Sequence, residues 1–233
     1  MARKTDPGDN MLKEYRTVFQ EGHYVYEEKR SRFIARVLPV LSEEEAIGFI
    51  NRIRSECRDA AHNCYAYYVE GEAAYQRYSD DGEPAGTAGL PILEVIRKRQ
   101  LVNVAIVVTR YFGGILLGAG GLVRAYGKAA AGGVQGAREV TVRTCVEARI
   151  DVEYHLSGKL RNMLMSEGFT LAGADYSHLV AFTVLLPENQ KAKLEEKVND
   201  ITGGRASLEY AGERLVKTDD SGNILEICQI TQS

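Results

Sequence analysis

Apolar and polar residues alternate through "HYVYEEKRSRFIARVLPV" on either side of a charged turn, which predicts two neighbouring strands. The period then changes. Ser42 and Glu45 form a capping box, and Ala46, Ile50, Ile53 and Cys57 recur at helical spacing, so a helix follows. "HNCYAYYV" reads as a strand whose period of two sets His62, Cys64, Ala66 and Tyr68 on one face. "LVNVAIVV" does not alternate, and so continuous an apolar run predicts a central strand covered on both faces, with Thr109 and Arg110 at its carboxyl end. Ahead of that strand, Thr87 is the expected N-cap of a helix over "AGLPILEVIRKRQ". Pro91 falls early enough in that helix to cost little. After the strand, "YFGGILLGAGG" is a glycine loop leading into a helix over "LVRAYGKAAAGGVQG". That helix carries Leu122, Tyr126 and Ala129 on one face and Arg124 and Lys128 on another.

The second half has a different rhythm. A strand "TCVEARIDVEY", a helix stopped by Gly168, strands "FTLAGADY" and "HLVAFTVLLP", a helix ending at "TGG" and a strand "RASLEYAGERLV" give the order β-α-β-β-α-β. That order is the ferredoxin-like arrangement. The expected class is therefore α+β in two domains: a β-α-β N-terminal domain over 11–143 and a ferredoxin-like domain over 144–233. Residues 1–10 are expected to be a disordered start.

Charge supports the division. Residues 1–143 hold 20 Lys and Arg against 18 Asp and Glu, whereas 144–233 hold 9 against 14. Neither half has the bulk basicity of a typical nucleic-acid-binding domain, so contact with a polyanion requires a local patch. The four cysteines are widely separated and form no C-x-x-C, which argues against a structural zinc site and a disulfide scaffold and suits a reducing cytoplasm. No apolar run approaches the length of a membrane span, so no membrane role is expected.

Three stretches carry candidate chemistry. His62 and Cys64 share a strand face, although same-face neighbours lie about 7 Å apart along a strand, too far for a ready acid–base pair. The glycine loop invites an anion at a helix N-terminus. Its spacing nevertheless misses both nucleotide signatures: Gly121 to Lys128 is one residue too long, Ala129 stands where Ser or Thr should hold magnesium, and Val123 replaces the third glycine. The loop "SDDGEPAGTAG" crowds Asp80, Asp81 and Glu83 together without the alternating oxygens of a calcium loop; magnesium with bound water is the candidate ion, and no other cofactor is expected. Arg124, expected in the first turn of its helix, and Arg110, at a strand's carboxyl end, occupy positions that favour an anion. The expectation is a groove with the carboxylates on one wall, both arginines on the other and His62 nearby. Arg97, Lys98 and Arg99 complement a helix carbonyl end and form a candidate basic patch with Lys128.

"RFIARVLPV", "AAHNCYAYYV", "YSDDGEPAGTAGLPIL" and "VVTRYFGGILLGAGGLVRAYG" together resemble the IMPACT family of the bacterial YigZ type, over essentially the whole chain. The resemblance implies a first domain folded like part of a small-subunit ribosomal protein and a second like domain V of elongation factor G. It also implies a translation-associated regulatory factor that binds RNA or the ribosome. The family's signature positions fall here on His62, Cys64, Asp80, Asp81, Glu83, Thr109, Arg110, Gly113, Gly114, Gly120, Gly121 and Arg124, none of which the family establishes as catalytic. The acidic balance of the second domain disfavours bare RNA, so that domain is expected to contact a protein partner or merely to position the first. The rival reading is an enzyme acting on a phosphorylated small molecule through the glycine loop and the acidic groove. It rests on fold analogy with small-molecule kinases.

Overall fold

The computed structural model describes residues 14–71 and 74–229; the N-terminal segment 1–10 lies outside them. The chain is α+β and divides into two compact units. The first runs to Thr141 and includes Asp219–Gly222, and the second takes Val142–Thr218 and the residues from Asn223 onward.

The first unit contains β1 (Glu14–Val18), β2 (Gly22–Glu28), β3 (Ser31–Pro39), α1 (Glu43–Glu56), β4 (His62–Val69), β5 (Tyr75–Ser79), α2 (Gly89–Lys98), β6 (Val104–Tyr111) and α3 (Ala119–Ala137). Its antiparallel sheet has the order β2-β3-β6-β4-β5. β6 sits in the middle, buried from Val104 to Arg110, because helices cover both faces as its unbroken apolar run requires. On one face Phe33, Ala35, Val37, Cys64, Ala66, Ile106 and Val108 pack against α2 and α3. On the other, Ala105, Val107, Tyr67 and Val69 meet Ala46, Phe49, Ile50 and Ile53 of α1.

The α1 cap forms with one variation: Glu45 N–H donates to Ser42 Oγ at 3.2 Å, while Glu45 Oε2 accepts from Leu41 N–H at 2.7 Å instead of the cap residue's own amide. The β2–β3 hairpin turns at Lys29 and Arg30, both left-handed with φ 46° and 66°, where glycine or asparagine would sit without strain. α3 lies close over β2 because a Cβ on Gly132 would come within 2.3 Å of the Tyr24 ring.

The second unit carries β7 (Glu139–Val152, shared at its start with the first), α4 (Tyr154–Ser166), β8 (Thr170–Tyr176), β9 (Val180–Leu186), a 3-10 turn at Glu188–Gln190, α5 (Lys191–Thr202), β10 (Ser207–Thr218) and β11 (Ile224–Gln229). The sheet order β11-β10-β7-β9-β8 is the ferredoxin-like order with β11 added at one edge by a hairpin. Ala148, Ile150, Val152, Phe182, Val184 and Leu186 on one sheet face form the core with Leu160, Leu164, Leu194 and Val198 of the two helices. No helix among the described residues is long and apolar enough to cross a membrane.

Candidate functional site

The acidic loop connects β5 to α2, and each of its carboxylates faces a different group of the same protein. Glu83 N–H donates to the Asp80 carbonyl at 2.9 Å across Asp81 and Gly82, both with positive φ, so the loop opens with a tight turn. Asp80 then reaches forward to cap α2: Oδ1 accepts from Ala88 N–H at 3.0 Å and Gly89 N–H at 2.8 Å, and Oδ2 from Gly86 N–H at 2.8 Å. Thr87 is therefore not the cap; its hydroxyl donates to the Pro84 carbonyl, and the carboxylate satisfies the helix amides instead. Burial alone would raise the Asp80 pKa, but the three amides outweigh it and hold the carboxyl below the ordinary value. Asp81 accepts from Arg54 at 2.9 Å and from Asn63 N–H at 2.7 Å. Among the described residues no three His, Cys, Asp or Glu side chains come together as a metal-holding group.

Glu83 is the buried one. Its Oε1 accepts from Arg110 Nη1 at 2.6 Å and from the Tyr126 hydroxyl at 2.7 Å, and the two charged side chains are only 7% and 3% exposed. His62 stands opposite Arg110 in the β4–β6 register. Its Nδ1 lies 2.8 Å from the Asp81 carbonyl, which can only accept, so Nδ1 carries the proton and Nε2 faces Glu83 Oε1 at 3.9 Å. The expected meeting of Arg110, His62 and an acidic-loop carboxylate is thus present, as a buried network rather than an open wall. Cys64 donates to the Asp80 carbonyl at 3.0 Å and lies 3.4 Å from the Tyr126 hydroxyl. Burial pushes its thiol up to about 12, the opposite of what a nucleophile needs. Burial likewise pushes the Tyr126 phenol far up, so it remains a donor to Glu83.

Two expected members of the groove lie elsewhere. Thr109 projects from the face of β6 opposite Arg110, as strand alternation requires, and its hydroxyl donates to Asn63 Oδ1 at 2.8 Å. Arg124 lies in the second turn of α3, because the helix starts at Ala119 and absorbs Gly120 and Gly121 into its first turn. Its expected pairing with the carboxylates does not form: among the described residues it makes no ion pair with the acidic loop. Gly113 packs where a Cβ would come within 2.1 Å of the Arg30 carbonyl carbon, and its N–H donates to Ser31 Oγ. Gly114 turns the loop with φ 82°.

Arg124 instead lines a cleft of about 690 Å³ with Tyr26, Glu28, Lys29, Leu117, Gly121, Val123 and Lys128. Lys29, Arg124 and Lys128 are exposed there against the single carboxylate of Glu28, which accepts from the Tyr26 hydroxyl at 2.6 Å. Lys128 Nζ sits 4.8 Å from the centre of the Tyr26 ring. Lys29 and Tyr26 were not among the sequence candidates. The run "YEEKR" signals a turn, and only the tertiary meeting of that turn with α3 makes it part of a cleft. The basic triplet is largely engaged: Arg97 donates to Glu94 and Gln76, and Arg99 to Glu139, leaving Lys98 as its exposed member without such a contact among the described residues.

These features define a class: a two-domain α+β protein whose first unit joins a buried Glu–Arg–Tyr network to an exposed cationic cleft. The Impact N-terminal domain matches residues 29–134, and a domain of unknown function, DUF1949, matches 150–205. The chain is 39% identical over 198 residues to IMPACT family member YvyE of Bacillus subtilis, covering 85% of this chain and 91% of that protein. It is 37% identical over 190 residues to IMPACT family member YigZ of Escherichia coli, covering 79% and 91%. A crystal structure of a hypothetical protein superposes with a TM-score of 0.54 at 32% identity, covering 85% of this chain and 97% of that one. The chain belongs to the IMPACT family.

Proposed function

We propose that the protein is a cytoplasmic RNA-binding factor connected with translation, and that its first unit holds the RNA phosphate backbone. The observation that carries this reading is the cleft of Lys29, Arg124 and Lys128 around Tyr26, three cations against one carboxylate in a chain whose net charge is -3. Cations concentrated on so nearly neutral a surface supply the local patch that polyanion binding needs. The link to translation rests on the family resemblance. The second unit, with its excess of carboxylates, repels bare RNA and is assigned to a protein partner.

The test is sedimentation with purified ribosomes, and anisotropy with a labelled single-stranded RNA, for wild type and for Arg124→Glu/Lys128→Glu. Wild type should bind at moderate salt and the charge-reversed variant should not. Equal behaviour of the two defeats the proposal. Gly121 of the first α3 turn also lines the cleft, which is the observation favouring a phosphorylated small molecule. Displacement of RNA by free nucleotide at micromolar concentration would favour that second reading.

A further inference from the structure

On the loop that leaves β6, chain geometry exposes an aromatic ring with an unusual backing. Phe112 follows β6 directly and is 50% exposed. Its inner side lies over the Arg110 guanidinium, with 5.5 Å between that group and the ring centre, and Phe33 lies 5.5 Å from the same group. The guanidinium is in turn fixed by Glu83. Among the described residues Arg110 Nε is buried without a hydrogen-bond partner, and the guanidinium, paired in its plane with Glu83, meets the two rings as well. Gly113 packs against Arg30 and Ser31, which places Phe112 beside the turn that supplies Lys29 to the cleft. Ile115 and Leu116, 42% and 82% exposed, continue the same apolar loop.

We infer that Phe112 is a stacking platform for an unpaired RNA base. This rests on the RNA reading above and narrows it to single-stranded RNA. A cation beneath the ring draws on its negative inner face and makes the outer face a better partner for the electron-rich face of a purine. The locked Arg110 keeps the ring from having to be ordered at the moment of binding. The adjoining cations take the phosphates that flank the stacked base. Duplex RNA offers no free base face, so the platform does nothing for it.

The chain has no tryptophan, so Phe112→Trp installs a single fluorescent reporter at the platform. On adding a single-stranded oligoribonucleotide, that fluorescence should be quenched and become shielded from acrylamide, with affinity equal to or above wild type. Phe112→Ala and Phe112→Leu should weaken single-strand binding about 5- to 150-fold, the equivalent of about 1–3 kcal/mol for one stacked base. Their duplex binding and salt dependence should be unchanged. Unaltered single-strand affinity in Phe112→Leu, alongside weakened binding in Arg124→Glu/Lys128→Glu, overturns the platform and leaves the RNA reading standing. Absence of any RNA binding by the wild type removes both. Phe112-dependent binding to phosphatidylserine vesicles, with RNA affinity unmoved, assigns the loop to a membrane surface and overturns the inference.

Discussion

Replacing Glu83 by leucine leaves the Arg110 guanidinium buried, with the carboxylate it donates to gone and, among the described residues, no partner for Nε. Both side chains are more than nine-tenths buried, so solvent cannot take over. Breaking such a pair from one side costs about 3–5 kcal/mol. The same substitution takes the carboxylate acceptor from the Tyr126 hydroxyl and leaves it only the Cys64 sulfur at 3.4 Å, which supports the upper part of that range. Native-state hydrogen exchange at Val107 and Val108 in β6 reads this without assuming that the two units unfold together. Exchange there should accelerate by roughly two to three and a half orders of magnitude, since about 1.4 kcal/mol is tenfold. Glu83→Gln, which keeps an acceptor, should fall between. Glu83→Met/Arg110→Met, which removes both charges and fills the space, should recover most of the loss. Single substitutions each costing under about 1 kcal/mol, or a double that equals their sum, would refute the coupled buried pair.

Because the Asp80 pKa is lower folded than unfolded, its contribution is complete above the ordinary aspartate range and is lost as pH falls through the folded value. Thermal stability should therefore drop below about pH 4, and Asp80→Asn should flatten that part of the profile at a cost of about 1–2 kcal/mol at neutral pH, the size of a lost cap. Cys64, with a thiol near 12, should resist iodoacetamide at pH 7.5 in the native protein and react only on unfolding; rapid native labelling would contradict its burial. Lys29→Asn/Arg30→Gly suits the left-handed turn and should stabilise the hairpin by about 1 kcal/mol in urea while weakening RNA binding, a trade that a merely structural turn would not show.

Much of the architecture was legible because it is written in local pattern. The unbroken apolar run of β6 marked a doubly covered strand, and the alternation of strands and helices after residue 144 marked the ferredoxin-like order. β5 escaped notice because "YQRYS" lies at a sheet edge, with both faces partly wet and no apolar repeat to declare it. The site was legible in part. The acidic loop, Arg110 and His62 do converge, but Asp80's capping partners lie six to nine residues away, across a turn. Thr109 could have been separated from Arg110 by the strand period alone. Arg124 was misplaced because two glycines at a helix start read as loop, and moving the N-terminus back to Ala119 carries it into the next turn and toward a different partner set. Lys29 became visible only when β2 and α3 were side by side.

The measurement that bears most directly on the cationic cleft is the slope of log affinity against log salt for a single-stranded RNA, in wild type and in Arg124→Gln/Lys128→Gln. Three phosphates neutralised by Lys29, Arg124 and Lys128 give a slope of about -2, at ~0.7 per phosphate on a single strand. Removing two of the cations should reduce it to about -0.7, with lower affinity at every salt concentration. Salt-independent binding, or an identical slope in the two proteins, would contradict the account.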